Sequence, residues 1–306
     1  MFAAFLATFC FSVSVVCGTR TAKLVGGIEA NFWRLALATA FLSVWAYTGG
    51  NGLGGGALGM FLLSGVIGIG IGDAGLFEAL PRLGSRLSVL LIQCLTAPIA
   101  ALTEWLWLGT TLGMVQIFCV LVILAGVAAA LSPSEHLHIP RAKLVAGILF
   151  AILGAAGNGL GAVMSRKGYA IALANGEQMD GATAAFQRVL GGVLVAGILL
   201  LIAKRQFVRL PEAASDFVDT TGAREKWRRI WPWVVMNSLA GQTLGMSLML
   251  WALKTTPTGI VTAVTALTPL VVIPFARVME NEKVTARALI GGAIAVAGVV
   301  GLALTR

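Results

Sequence analysis

Two carboxylates, Asp73 and Glu78, lie in the run Gly68-Ile69-Gly70-Ile71-Gly72-Asp73-Ala74-Gly75-Leu76-Phe77-Glu78-Ala79-Leu80, which is otherwise apolar and dense in glycine. An acid in lipid-like surroundings is costly and marks a candidate functional site. Asp73 is the deeper of the two, and a carboxylic acid in an apolar cavity can take up and release protons near neutral pH. The competing reading is an acid hydrogen-bonded to a neighbouring helix. Glu78 stands one turn before Arg82, so a snorkelling i,i+4 ion pair is the simpler account of it. Among uncharged groups, Asn158, Gln242, Gln93 and Asn237 are candidates to line the same pathway. Arg34 and Arg188 are candidates for a gate or an anion clamp, because guanidinium binds carboxylate and phosphate bidentately. Interface anchoring or an ion pair between helices would explain them equally. Pro98, Pro269 and Pro274 remove helix hydrogen bonds and are candidate hinges.

Catalytic chemistry is not expected. The sequence holds two histidines and shows no Ser/His/Asp or Cys/His set. Glu135-His136-Leu137-His138 could hold a metal but has no further ligands nearby. Gly49–Gly56 is a flexible loop, with no Gly-Lys-Ser/Thr to make a phosphate cradle. The four cysteines, Cys10, Cys17, Cys94 and Cys119, lie in apolar runs without metal or disulfide spacing. No cofactor, metal or nucleic-acid partner is expected.

The elements that position these groups are set by composition. Of 306 residues, 58% are hydrophobic and 11% charged, with mean hydropathy +0.90. Soluble domains carry about 25% charged residues, so the class is an all-α integral membrane protein. Windows long enough to span lipid, about 20 residues, place spans at Phe2–Gly18, Ala30–Tyr47, Ala57–Leu80, Ser85–Trp105 and Leu112–Leu131. A linker at 132–143 comes next. Further spans are Leu144–Met164, Ala184–Ala203, Trp233–Leu253, Gly259–Met279 and Ala286–Leu304, with a polar loop at 204–230. Phe2–Val16 lacks a basic lead and is kept as a span rather than a signal peptide.

The two halves, 1–131 and 144–306, share short matches in the same order. Phe32-Trp33-Arg34 corresponds to Phe186-Gln187-Arg188, Phe77-Glu78-Ala79-Leu80 to Leu250-Trp251-Ala252-Leu253, and Ala125-Gly126-Val127 to Ala297-Gly298-Val299. The expected architecture is therefore ten transmembrane helices as two five-helix repeats. An odd number of spans per half inverts the second repeat and puts a pathway between the halves. Lys and Arg concentrate in alternate loops, which nominally leaves both termini outside. The net charge of +9 then reads as headgroup and loop charge. Glycines at spacing four, Gly68/Gly72, Gly157/Gly161 and Gly241/Gly245, predict closely packed helices.

The Phe-x-Arg pair in the second and seventh spans and the turn Glu280-Asn281-Glu282-Lys283-Val284-Thr285 before a glycine-rich last span resemble the EamA-like drug/metabolite transporter superfamily. The resemblance covers nearly the whole chain. The first-half turn, Leu108-Gly109-Thr110-Thr111-Leu112, lacks the Glu-Arg usual there. The resemblance implies two inverted five-helix bundles around a cavity, transport of small metabolites without ATP, and cytoplasmic termini, opposite to the loop charges. The function expected is a secondary active transporter, an exporter or a proton-coupled or exchange permease of small polar or amphipathic metabolites, in the plasma or inner membrane. The alternatives are a lipid-headgroup flippase and a non-transporting membrane enzyme. Expected partners are a small-molecule substrate and the lipid bilayer, with H+ a candidate coupling ion and a homodimer a candidate assembly.

Overall fold

The computed structural model describes residues 2–131, 140–208, 220–268, 270–271 and 286–304. Long runs of Ala, Leu, Val and Ile close their own backbone hydrogen bonds as helices, as a chain in hydrocarbon must. In order these are α1 (Phe2–Val25), α2 (Gly27–Thr48), α3 (Leu58–Gly65), a π-helical stretch Val66–Ile71, α4 (Gly72–Leu108), α5 (Met114–Leu131), α6 (Arg141–Ala174) and α7 (Gly181–Val208). The second half continues with α8 (Thr220–Asn237), a second π-helical stretch Ser238–Gly245, α9 (Met246–Thr255), α10 (Thr258–Thr265) and α11 (Ala286–Leu304). Among the described residues, five helices are long and apolar enough to cross a membrane: Phe2–Ala22, Leu58–Leu76, Leu91–Leu108, Arg141–Ala174 and Gly181–Lys204. Met114–Ala129 and Ile290–Gly301 are shorter apolar helices. The chain is a multi-pass helical membrane protein.

Three boundaries differ from the sequence reading. A single helical element runs from Gly72 to Leu108 instead of stopping between Leu80 and Ser85. The turn is made inside the helix: Gly154 of α6 lies against both Leu76 and Ile92, which a straight helix would hold about 24 Å apart. The helix α6 continues to Ala174 rather than stopping at Met164, because Arg166 pairs with Glu104 within the bundle rather than with a headgroup. The polar loop expected over 204–230 is shorter, with α7 reaching Val208 and α8 starting at Thr220. There a helix lies over a charged sequence, with Arg228 and Arg229 exposed and Ile230 buried. Pro98 lies within α4. Pro269, Pro274 and the His136–His138 segment lie outside the described residues.

Packing has a pattern of exchange. The first π-helical stretch packs on α6 and α7, and the second on α1 and α2. The limbs of α4 lie on α6, α10 crosses α4, and α5 pairs with α11. The contact with α6 is made by facing glycines. A Cβ on Gly161 would fall 2.5 Å from Gly68 Cα, and one on Gly157 would fall 2.8 Å from Gly72 Cα. Lipid tails supply no hydrophobic drive between helices, so this backbone-to-backbone dispersion contact is what holds them. Gly241 and Gly245 instead make room for side chains of α1, Ser14 and Phe11. At one end, Gly109 closes α4 with φ +68°, a left-handed conformation that suits glycine.

The same end is interlocked by polar groups. Glu177 accepts Gly56 N at 3.1 Å, and Gln187 donates to Gly52 O and Gly54 O at 3.0 Å. Asp180 caps α7, accepting Ala182 N, Thr183 N, the Thr183 hydroxyl and Trp45 Nε1. Burial alone would raise its pKa, but these hydrogen bonds, those of Thr183 foremost, outweigh it and hold the carboxyl below 3.8.

Variants at two glycines separate close packing from open surface. G161V must push α6 off Gly68 and is predicted to cost about 1–3 kcal/mol by overpacking. G59A, where nothing lies within 4 Å of a new Cβ, should melt like the parent in detergent. The cap makes a pH prediction. Because the folded Asp180 binds its proton less tightly than the unfolded one, its contribution is present above the unfolded pKa and lost as pH falls through the folded one. The melting gap between parent and D180N should therefore close on acidification below 3.8; a gap that widens there would refute the cap.

Candidate functional site

The glycine contact sets the register of the next turn. A π-helical stretch widens the helix by one residue and re-aims the residues beyond it, and Asp73 is the second residue after Val66–Ile71. Its Oδ2 accepts Arg34 Nη2 at 3.0 Å, with side-chain exposures of 18% and 21%. Arg34 also donates to Asn31 Oδ1 one turn earlier on α2. Arg34 and Asp73 thus come together between α2 and α4.

Arg188, the counterpart of Arg34 on α7, is 2% exposed. It does not snorkel to an interface. Its Nη1 donates to Ser165 Oγ at 3.1 Å, and Ser165 shares a hydrogen bond of 2.7 Å with Ser64. A Cβ on Gly68 would fall 2.5 Å from Arg188 Nη2, so only glycine leaves that space. Arg188 Nε and the hydroxyl of buried Tyr169 have no hydrogen-bond partner among the described residues. Arg188 and Asp73 are close enough for their charges to act on one another.

The other candidates are distributed around this core. Asn158 faces Gly72, with Oδ1 2.9 Å from where a Cβ would be. Gln242 is buried in the second π-helical stretch with Oε1 unpartnered among the described residues, and Asn237 accepts the Ser14 hydroxyl at 2.6 Å. Asn237 thus faces α1 rather than the Arg34–Asp73 pair. Gln93 is half-buried in α4. Glu78 is 54% exposed and bonded to Arg82. A small cleft, with room for about one water, opens beside the ion pair between Ile28, Asn31, Ile69, Gly70, Ala74, Ala196 and Leu199.

Sequence reasoning passes over several groups. Asn31 precedes Arg34 by three residues and Tyr169 comes four after Ser165, spacings that put each pair on one helix face. Glu104 reads as a span end beside Trp105. In the structure it is 2% exposed, pairs with Arg166 at 3.0 Å and accepts Thr258 N, so it ties α4, α6 and the start of α10 together. Among the described residues no cluster of three His, Cys, Asp or Glu could hold a metal.

A multi-pass helical bundle with charges enclosed between facing helices has the construction of a membrane carrier. The model of the EamA-like transporter family matches residues 1–132 and 145–304, and the chain belongs to that family, whose members are membrane transporters of the drug/metabolite type. The fold is similar to that of a solved structure described as "Crystal structure of protein", with TM-score 0.73 at 15% identity, over 99% of this chain and 96% of that one. No curated protein matches the sequence.

Removing one partner of a buried ion pair leaves the other uncompensated. E104A is predicted to cost about 3–5 kcal/mol. E104A/R166A should cost less than the two single variants added together, as read by thermal unfolding in a double-mutant cycle; additive losses would show that the two side chains do not act as a pair.

Proposed function

We propose that the chain is a secondary active transporter that moves a small polar or amphipathic metabolite by alternating access between two inverted five-helix repeats, without an enzymatic step. Packing symmetry supports the repeats. The register that sets Leu80 on Leu253 also sets Val66–Ile71 on residues 239–244, inside Ser238–Gly245, and Gly68/Gly72 on Gly241/Gly245. Each π-helical stretch then packs on the first two helices of the opposite half. The linker at 132–143 would separate the repeats, and the plasma or inner membrane is the proposed location.

The observation that carries the coupling is the Arg34–Asp73 pair at 3.0 Å. Ionised, Asp73 ties α2 to the helix beyond the π-helical stretch. Protonated, it no longer holds Arg34 electrostatically, and the two helices are free to separate. Proton binding and helix movement would thereby be linked, with Asn158 along the path and Asn31 at the cleft mouth. Pro98, Pro269 and Pro274 are the proposed hinges. The end closed by Glu177, Asp180 and Glu104 would be the one that opens in the alternate state.

A second reading, movement of a lipid headgroup, draws on the cleft. Its outer residue Ile28 is 40% exposed, and Ile198 and Leu201 nearby on α7 are also exposed. It predicts exchange of fluorescent lipid between leaflets of proteoliposomes; a polar solute transported with no lipid exchange would exclude it.

The direct test is solute flux in proteoliposomes with and without an imposed pH gradient, screening labelled amino acids, nucleosides, sugars and cationic drugs. The parent is expected to respond to the gradient. D73N should lose that response, and R34Q/D73N, which leaves no unpaired arginine at this position, separates coupling from stability. Flux through D73N that matches the parent at every pH would overturn the proton role.

A further inference from the structure

Matching each buried cation with its acid singles out Arg188. Among the described residues, four other cations have an acid within 4 Å: Arg34 has Asp73, Arg82 has Glu78, Arg166 has Glu104 and Lys204 has Glu29. Arg20 instead lies over the Trp233 ring at 4.4 Å. Arg188 is more buried than any of these arginines, yet no described carboxylate lies within 4 Å of it. The acid whose charge reaches it, Asp73, is already bonded to Arg34. Two guanidiniums therefore share one carboxylate, and the enclosed site carries one net positive charge. An uncompensated charge among apolar helices is unfavourable, and a protein keeps one where something from outside completes it.

The surroundings fit an incoming anion. Arg188 bonds Ser165, which is held in turn by Ser64 and the Gly161 carbonyl, and one turn further along α6 the buried hydroxyl of Tyr169 has no partner among the described residues. The hydrogen bond to Ser165 is made by Nη1, on the far side of the guanidinium from Nε, which has no partner among the described residues. The edge formed by Nε and Nη2 is a fork matching two oxygens of a carboxylate or phosphate. Gly68 packs against Nη2, and any side chain there would displace the guanidinium. Gly68 and Arg188 come from opposite halves of the chain, so a ligand bound here would sit between them.

We infer that Arg188 is the recognition point for a substrate carrying a carboxylate or phosphate group, gripped through the Nε–Nη2 edge with the Tyr169 hydroxyl as a second donor. This rests on the transporter reading and narrows its substrate to anions and zwitterions. Arg34, already paired with Asp73, serves the proton; Arg188 serves the solute.

The test uses purified full-length protein in detergent, melted in a buffer low in anions. If Arg188 awaits an anion, R188Q removes an uncompensated charge and should melt at or above the parent. If Arg188 is a structural member of a satisfied network, R188Q melts clearly below the parent, and the inference is overturned. Acetate, glycerol 3-phosphate and a short-chain phosphatidylglycerol are then added separately, with acetamide and glycerol as uncharged matches. At least one anion should raise the parent's melting temperature by a few degrees, and its uncharged match should not. A response to acetate points to carboxylates, one to glycerol 3-phosphate to soluble phosphates, and one to the lipid alone to headgroups. R188Q should lose the response. R188K, which keeps the charge without the fork, should show a smaller one. Equal anion responses in parent, R188K and R188Q, or no response of the parent to any anion, would overturn the site. Flux of a neutral or cationic solute unchanged in R188Q would remove the anion site and leave the transporter. Anion binding at Arg188 with no flux of any solute would do the reverse.

Discussion

The close approach of the stretch around Gly68 and Gly72 to α6 and α7 is the constraint on which the rest depends. Facing glycines let the backbones touch, and in lipid that contact replaces the hydrophobic drive a soluble core would have. It also fixes the position of everything polar. Gly68 comes to rest on Arg188, Gly72 on Asn158, and Asp73 is turned toward Arg34 on α2. A methyl group at Gly161 would be felt first as a packing fault and then as a misplaced charge.

The two π-helical stretches give this contact its form. Each loosens one helix where it crosses two helices from elsewhere in the chain. A wider turn weakens local hydrogen bonding and is found at functional sites more often than elsewhere. Here one stretch precedes Asp73 and the other contains Gln242. In the proposed two-repeat arrangement they coincide under one register, which makes the distortion part of how the repeats would meet. The asymmetry lies in the side chains: Asp73 corresponds to Met246, so only one half carries the acid.

How much of this is legible in the sequence depends on the range of the interaction. Composition alone gives the membrane class. Local spacing gives the Glu78–Arg82 pair and the glycine faces, because one helix turn decides both. The short matches among Arg34, Arg188, Ala125 and Ala297 are enough for the family, since they recur in order. What spacing cannot give is pairing across the bundle. Arg34 with Asp73, Arg188 with Ser165 and Glu104 with Arg166 join residues on different helices, and Glu104 looks like a headgroup neighbour because it stands beside Trp105. The π-helical stretches are hydrogen-bonding patterns that leave hydrophobic periodicity nearly unchanged. The fold-back within α4 reads as a loop because hydropathy reports the change of direction and not how the backbone makes it.

The central claim is that Asp73 is an ionised partner of Arg34 at rest and a proton carrier during transport. Infrared difference spectroscopy on protein with isotope-labelled aspartate tracks that carboxyl directly. The account predicts no protonated-carboxyl band from Asp73 in the resting protein at neutral pH, and a band that grows on acidification and is missing from D73N. A protonated Asp73 already present in the resting protein, or an Asp73 that stays ionised at every pH supporting transport, would contradict it.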